Sequence, residues 1–140
     1  MEVRIKILNP EAKIPVYGRE GDAGLDLYSC EDFILEPKER HVFKLGFALE
    51  LPGGTAALVW DRSGMAVKHG IHSLAGVIDC NYRGEVSITL YNTSDEAWQC
   101  KKGDRIAQMI IQRFEKVDLK KVDELSETER GENAYLSSGR

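Results

Sequence analysis

Five short clusters of polar residues stand among glycines in this chain, and they are its strongest candidates for chemistry. Four of them contain aspartate, and four contain arginine. Arginine side chains and the backbone N–H groups near glycine and serine hold phosphate oxygens in proteins. A carboxylate nearby holds a divalent cation or positions a water molecule. The clusters are DAGLDLYS (22–29), DRSG (61–64), GVIDCNYRG (76–84), GDRIAQ (103–108) and RGENAYLSSGR (130–140).

Each cluster taken alone also fits a plain structural role. Asp22 and Asp26 fit solvated positions in a turn that leads into a strand, and Ser63 fits the cap of a helix. Arg105 fits a surface ion pair, which contributes only about 0–1 kcal/mol. His69 and His72 have a spacing that suggests a metal pair, but no cysteine cluster lies near them. A surface or core role is therefore favoured for the two histidines.

Aromatic and thiol side chains offer further candidates of a different kind. Trp60 and Trp98 lie in or beside strand-like runs, so core packing is favoured over base stacking. Cys80 follows Asp79 directly but has no evident base, which argues against a nucleophilic thiol. The three cysteines are far apart in the sequence, and we expect free thiols.

The elements that must position these clusters are short strands. Val3, Ile5 and Ile7 alternate with polar residues, as do residues 86–91, and this period of two is typical of half-buried strands. Two apolar runs, 42–51 and 55–60, flank Pro52-Gly53-Gly54 and predict a hairpin. A further strand is predicted over 106–114, and the only helical window, 64–68, is short. The sequence therefore predicts an all-β sandwich or barrel of antiparallel strands.

Length and composition predict one domain. The chain has 140 residues, 42% hydrophobic and 30% charged, which is ordinary for a globular protein. Its net charge of −4 argues against a nucleic-acid partner. No apolar run reaches the length of about 20 residues that spans a bilayer, and the N-terminus alternates in character. We therefore expect no membrane partner and a cytoplasmic location, or a nuclear one if the source is eukaryotic.

The C-terminal part of the chain has no clear period. Val117, Leu119, Val122 and Leu125 fit neither a helix nor a strand. The small and polar residues that follow Arg130 predict a mobile tail.

All five clusters together, in this order and at this spacing, resemble the five motifs of the trimeric dUTP pyrophosphatase (dUTPase) family. The resemblance covers nearly the whole chain, from KIPVYGREGDAGLDLYS to TERGENAYLSSG. It implies a jelly-roll-like β-barrel, with residues 1–129 as the domain and residues 130–140 as an arm that closes over the active site. It also implies a homotrimer whose three active sites are each built from more than one subunit.

The activity that the resemblance implies is the Mg²⁺-dependent hydrolysis of dUTP to dUMP and pyrophosphate, by attack of water on the α-phosphate. This reaction limits uracil incorporation into DNA and supplies dUMP for dTMP synthesis. Asp79 matches the catalytic aspartate that activates the water, and Asp26 matches the metal-associated one. Residues matching substrate-binding positions are Arg62, Ser63, Gly64, Gly76, Val77, Ile78, Tyr82, Gln108, Arg130, Tyr135, Ser137, Ser138 and Gly139.

Within that set, each part of the substrate has its own group of matching residues. The resemblance assigns phosphate contacts to residues 62–64 and to Gln108, and contacts with uracil to the backbone of residues 76–78. The ring of Tyr82 packs under the deoxyribose and excludes a 2′-hydroxyl. The arm, which comes from a neighbouring subunit, supplies contacts to the γ-phosphate, and Tyr135 stands where the family usually has a base-stacking Phe.

The sequence departs from the family pattern in two places. Asp61 stands where the family commonly has proline, so its charge either weakens phosphate binding or points away from the site. In the tail, Asn133, Ala134 and Leu136 occupy usual glycine positions, and we expect arm closure to differ in geometry or rate.

Two rival functions share this resemblance. A dCTP deaminase needs a glutamate in the strand after the hairpin, and that strand reads VSITLYN, without an acid. A nucleotide-binding regulatory protein without turnover would use nearly the same residues, so the sequence leaves that alternative open.

Overall fold

The computed structural model describes residues 1–132, which form eleven β-strands and one short α-helix. In chain order these are β1 (Arg4–Ile7), β2 (Val16–Tyr17), β3 (Leu25–Tyr28), β4 (Phe33–Leu35), β5 (Arg40–Glu50), β6 (Thr55–Trp60), α1 (Ser63–His69), β7 (Ile71–Leu74), β8 (Val77–Asp79), β9 (Glu85–Asn92), β10 (Trp98–Cys100) and β11 (Arg105–Arg113). The strands form a four-stranded sheet in the order β1-β5-β9-β7, a five-stranded sheet in the order β2-β3-β11-β6-β8, and the pair β10-β4. Every strand pair in this part of the chain is antiparallel, which confirms the all-β prediction.

Alternation of apolar and polar residues gives each strand an inner and an outer face. In β9, Val86, Ile88 and Leu90 are buried, whereas Ser87 is exposed. The core collects the inner faces of both large sheets, with Leu27, Phe43 and Met109 among its buried members. Burying one side chain of this size contributes about 1.5–3 kcal/mol. The hydrophobic pattern therefore explains both the strands and their packing.

The predicted hairpin over residues 42–60 is wrong. β5 pairs with β1 and β9, and β6 pairs with β11 and β8, so the two strands belong to different sheets. Residues 52–54 carry the chain between the sheets, and the Thr55 hydroxyl donates to the Pro52 carbonyl at 2.7 Å. Both runs are rich in buried residues, and packing the two sheets face to face buries more of that surface than pairing the strands edge to edge.

β7 and β9 form a hairpin that contains residues 76–84 between them. It is paired at its base and open at its tip. Leu74 pairs with Thr89 at the end of the β7–β9 ladder, and the chain then leaves β9 so that β8 pairs with β6. Gly76 has a φ of 136°, and a Cβ there would lie 2.8 Å from the carbonyl oxygen of Val59. Glycine at position 76 therefore lets the chain cross between the two sheets. The space between the arms is a cavity.

The short helix begins one residue earlier than the predicted window and ends one residue later. Its N-cap is Arg62, which makes no side-chain capping hydrogen bond. Ser63 is the first helical residue, so the alternative that Ser63 caps the helix is wrong. Gly70 ends the helix in the left-handed conformation, with φ of 64°.

The two tryptophans differ in environment. Trp98 is half-buried and packs against the core, with its ring centroid 6.5 Å from that of Phe43. Trp60 is 57% exposed, so the prediction of core packing is wrong for Trp60. Its position on β6 faces away from the opposite sheet, and a period of two alone does not say which face is inside.

The last strand ends at Arg113, and residues 114–132 contain no helix or strand. Val117, Leu119 and Leu125 in this segment are 68%, 94% and 88% exposed. Their lack of either period in the sequence agrees with this outcome. An extended segment with exposed apolar side chains has surface available for a neighbouring molecule.

The predicted arm extends beyond the described residues. Tyr135, Ser137, Ser138 and Gly139 lie outside them, and Arg130 is exposed near their end. Within the described residues, no helix has the length and apolar character needed to cross a membrane. Cys30, Cys80 and Cys100 are free, as expected.

Candidate active site

A polar pocket of about 500 Å³ brings together three of the five clusters. Its framework is the pairing of β3, β11 and β6, in which Gln108 lies opposite both Asp26 and Trp60. The loop after β6 then places residues 62–64 beside them. The pocket is lined by Gly18, Arg19, Asp22, Ala23, Gly24, Asp26, Arg62, Ser63, Gly64, Arg105, Gln108 and Ile110. Strand pairing thus assembles residues that lie 82 positions apart in the sequence.

The carboxylate of Asp26 lies between two guanidinium groups. Its Oδ1 is 3.4 Å from Nε of Arg62, and its Oδ2 accepts a hydrogen bond of 3.2 Å from Nη1 of Arg105. Arg62 also donates to the backbone carbonyl of Arg105 at 3.2 Å. The Asp26 side chain is only 13% exposed. Asp26 therefore orients two arginines at the pocket floor, where they can receive an anionic ligand.

Gln108 is held from its other side by the loop of residues 61–64. Its Nε2 donates to the carbonyl of Asp61 at 2.8 Å. A Cβ at position 24 would lie 2.4 Å from the Gln108 Oε1, so the glycine of the AGLDL motif allows this close approach.

The charge of Asp61 points away from the polar pocket. Its carboxylate is hydrogen-bonded to His72 and Ser73 of β7, at the neighbouring sheet. Burial raises the pKa of Asp61, but hydrogen bonds from Ser73 and His72 outweigh it, so the pKa lies below its ordinary value. The carboxylate is therefore ionised at neutral pH. Of the two alternatives for this departure from the family, the structure selects the one in which the charge turns away.

A second pocket, of about 290 Å³, lies between the open arms of the β7–β9 hairpin. Asp79, Tyr82 and the backbone of residues 76–78 face it, together with residues 85–89 of β9. The Asp79 carbonyl accepts a hydrogen bond of 3.1 Å from the Tyr82 N–H. The Tyr82 hydroxyl donates to the Glu85 carbonyl, also at 3.1 Å. These two bonds fix the turn that carries the aspartate and the ring.

β9 begins at Glu85, so the prediction of a strand without an acid is wrong, but the Glu85 carboxylate is engaged elsewhere. Its Oε1 accepts a hydrogen bond of 3.0 Å from the Gly46 N–H, and its Oε2 is 3.8 Å from Nζ of Lys44. Both partners lie on β5, so this carboxylate links β9 to β5 at the side of the pocket. A proton-shuttling glutamate, as the deaminase alternative needs, is therefore not supplied by β9.

The two pockets are far apart within one chain. Asp79 on β8 pairs with Ala56 on β6, and Ala56 pairs with Gln112 on β11. Asp26 on β3 pairs with Gln108, which lies four residues before Gln112 on β11. The two aspartates are thus separated by about 13 Å along the strands and about 14 Å across them, on the order of 20 Å in all. One phosphate group cannot touch both pockets of the same chain.

A magnesium ion fits the polar pocket only with other donors. The described residues contain no group of three His, Cys, Asp or Glu side chains that could hold a metal ion. Both oxygens of Asp26 are already close to arginines. Mg²⁺ keeps several waters and binds phosphate oxygens alongside one or two carboxylates. The donor set therefore fits an ion that arrives with a polyphosphate and contacts Asp26 directly or through water.

Sequence reasoning missed two arginines of this site. Arg105 fits a surface ion pair when GDRIAQ is considered alone, and Arg19 precedes the first cluster. Both line the polar pocket with Arg62. Asp22 also fits a solvated turn residue from the sequence. Its carboxylate accepts a hydrogen bond of 2.8 Å from the Arg19 N–H and so shapes the loop of residues 19–22. Their positions beside or within the glycine-containing clusters could have indicated both arginines as candidates.

Known proteins of one family resemble nearly the whole chain. A family model described as dUTPase matches residues 10–139. A deoxyuridine 5′-triphosphate nucleotidohydrolase of Clostridium kluyveri is 45% identical, with 99% of each chain covered. The one of Candida albicans is 39% identical, covering 99% of this chain and 88% of its own. The fold matches Staphylococcus bacteriophage 80alpha dUTPase, solved with dUpNHpp, with a TM-score of 0.92, 30% identity and 99% of each chain covered. A mutant dUTPase of phage phi11, described with a structural Mg(II) ion, matches with a TM-score of 0.82, 27% identity, and 89% of this chain and 98% of its own covered.

Proposed function

The chain belongs to the dUTPase family and hydrolyses dUTP to dUMP and pyrophosphate, and we propose that it does so at a site shared between subunits. The observation that carries this proposal is the separation of the two pockets. The phosphate-binding arginines and the aspartate that activates water lie on the order of 20 Å apart in one chain. In a homotrimer, the polar pocket of one subunit meets the open hairpin of the next.

The polar pocket is the proposed phosphate subsite. Arg62 offers a planar donor fork that suits phosphate oxygens, and Ser63, Gly64 and Gln108 add hydroxyl, backbone and amide donors. When bound, Mg²⁺ supplies charge neutralisation of the phosphate chain, with Asp26 holding it directly or through its waters. The phi11 relative described with Mg(II) supports an ion in this family, although that ion is called structural.

The open hairpin is the proposed base and sugar subsite. Because the chain leaves β9 after Leu74, one edge of residues 76–78 pairs with β6 while the other edge is open to the cavity. Such N–H and C=O groups match the donor and acceptor pattern of uracil, and cytosine would leave some of them unpaired. The Tyr82 ring packs under the deoxyribose, where a 2′-hydroxyl has no room.

Asp79 acts as the base in this proposal. Its carboxylate accepts a proton from water as the water oxygen bonds to the α-phosphorus of dUTP. The bond from that phosphorus to the oxygen bridging to the β-phosphate breaks, and pyrophosphate leaves. A carboxylate is a weak base at neutral pH, so most of the acceleration comes from positioning and charge neutralisation.

An exposed apolar surface supports assembly with further copies. Trp60 and Val77 are neighbours on the outer face of the five-stranded sheet and are 57% and 70% exposed. Apolar side chains clustered on one face are typical of an interface. The segment of residues 114–132 adds more exposed apolar groups. Both features are what a homotrimer would cover.

Residues 1–129 form the domain, and residues 130–140, with Arg130, Tyr135 and residues 137–139, close over the γ-phosphate from a neighbouring subunit.

The negative net charge argues against nucleic-acid partners, and we propose no membrane partner. Free cysteines suit the reducing cytoplasm, or the nucleus of a eukaryotic source. There the enzyme limits uracil in DNA and supplies dUMP.

One assay tests this function. The protein is incubated with Mg²⁺ and dUTP, dCTP, dTTP or UTP, and pyrophosphate, nucleoside monophosphate and ammonia are measured. We expect pyrophosphate and dUMP from dUTP, and loss of the reaction with excess EDTA. Ammonia from dCTP would establish deamination instead, and binding of dUTP without any product would establish a regulatory protein.

Replacing Tyr82 with alanine should weaken the discrimination against UTP. Removing the ring opens space for the 2′-hydroxyl, so the ratio of kcat/KM for dUTP to that for UTP should fall about tenfold or more. Tyr82→Phe is the matched control, because it keeps the ring and loses only the 3.1 Å hydrogen bond to the Glu85 carbonyl. An unchanged ratio in the alanine variant would refute the role of the ring.

A further inference from the structure

Asp61 connects the phosphate pocket to the other large sheet. Its Oδ1 accepts the N–H and the hydroxyl of Ser73, both at 2.6 Å, and its Oδ2 lies 2.6 Å from Nδ1 of His72. Its own carbonyl accepts the hydrogen bond from Gln108. Three donors of β7 therefore hold the side chain, while the backbone of the same residue holds a pocket residue. This is a bridge between the sheets.

We propose that Asp61 is a positioning residue of the phosphate subsite. It fixes the loop of residues 61–64 on β7 and thereby sets the places of Arg62 and Gln108. The proposal rests on the proposed function, since it concerns the same substrate phosphates. Asp61 does not itself touch substrate, because both its oxygens are taken up by β7.

The loop needs such an anchor for a local reason. The helix that follows begins at Ser63, and its N-cap residue Arg62 makes no side-chain capping hydrogen bond, so only backbone bonds hold its first turn. Arg62 contacts Asp26 and the Arg105 carbonyl at 3.4 and 3.2 Å, contacts that only orient its guanidinium group. The short bonds from Asp61 are the contacts that fix the backbone preceding it.

The charge of Asp61 makes the direction of its side chain important. Turned toward the pocket, a third carboxylate would join Asp22 and Asp26 and repel the phosphates. Because three donors of β7 hold the Asp61 carboxylate away from the pocket, Asp61 fixes the loop without repelling the phosphates. His72, at 58% side-chain exposure, and Ser73, which is buried, share this task on β7.

Asp61→Ala is the first test. Removing the carboxylate frees the loop, so the affinity for dUpNHpp should fall about tenfold, whereas that for deoxyuridine, which has no phosphate, should stay within about twofold. Asp61→Asn keeps an acceptor for Ser73 and should recover most of the lost affinity. Calorimetry measures dUpNHpp binding, and an NMR titration measures deoxyuridine binding.

Two further variants control this test. Asp95→Ala removes a carboxylate that pairs with Lys38 at 3.0 Å outside both pockets, and it should bind dUpNHpp normally. Ser73→Ala removes one hydrogen bond and should lower dUpNHpp affinity about threefold, with no further loss when it is added to Asp61→Ala. If Asp61→Ala fails to fold, the dUpNHpp affinity of Ser73→Ala tests the proposal by itself.

Two results would overturn the positioning role. One is unchanged dUpNHpp affinity in the folded Asp61→Ala and Ser73→Ala variants, and the other is an equal loss for dUpNHpp and deoxyuridine. Failure of the proposed function is separate, because it would appear as a wild-type protein that binds neither ligand or releases no pyrophosphate from dUTP.

Discussion

Replacing Asp79 with asparagine should lower kcat for dUTP by about a hundredfold or more, because the variant keeps the shape of the turn but cannot take a proton from water. The turn is fixed by backbone and Tyr82 contacts, which do not involve the Asp79 carboxylate. Affinity for dUpNHpp should therefore stay within about threefold of the wild-type value. Steady-state kinetics and calorimetry measure the two quantities.

The matched control for Asp79→Asn is Asp95→Asn. Asp95 is another exposed aspartate, paired with Lys38 and distant from both pockets. It should leave kcat and affinity unchanged. If Asp79→Asn turned dUTP over at the normal rate, Asp79 would not be the base. Loss of affinity as large as the loss of kcat would mean that the change disturbs the pocket.

Two inactive variants should restore each other when they assemble together. Asp79→Asn disables the hairpin pocket and Arg62→Gln disables the phosphate pocket, so each alone should retain little activity. If each site takes these residues from different subunits, random assembly from equal amounts leaves about a quarter of the sites intact. Co-expression of the two chains with one tag common to both, purification of the unselected mixture and a pyrophosphate assay measure this recovery.

The double variant supplies the control for assembly. Chains that carry both Asp79→Asn and Arg62→Gln, mixed equally with wild-type chains, should also give about a quarter of full activity when the site is shared. If both residues served the same site in one chain, this mixture would give about half, and the mixture of single variants would give none. The two mixtures together therefore decide whether the site is shared.

Local patterns in the sequence predicted much of this fold. The alternation in residues 86–91 gives β9 its buried and exposed faces because side chains in a strand alternate strictly. The helical window at 64–68 was correct within one residue at each end. The cluster GVIDCNYRG indicated Asp79 as a candidate, and Asp79 ends β8 beside a cavity.

Partners distant in the sequence could not be derived in this way. The runs 42–51 and 55–60 look like a hairpin locally, but each finds its partners in a different sheet. Trp60 lies in a strand, yet it faces outward because the register with β11 decides its side. Strand pairing depends on the whole set of buried faces, which neighbouring residues do not reveal.

The sequence by itself determined which chemistry this protein has. The kinds and order of residues in the five clusters provide carboxylates, arginines and glycines for a triphosphate. Only the tertiary structure decided how they are distributed. It joins Asp26, Arg62 and Gln108 in one pocket, keeps Asp79 far from them in the same chain, and turns Asp61 toward β7. These outcomes follow from strand register and sheet packing, which place residues by contacts across the fold and not by their spacing along the chain.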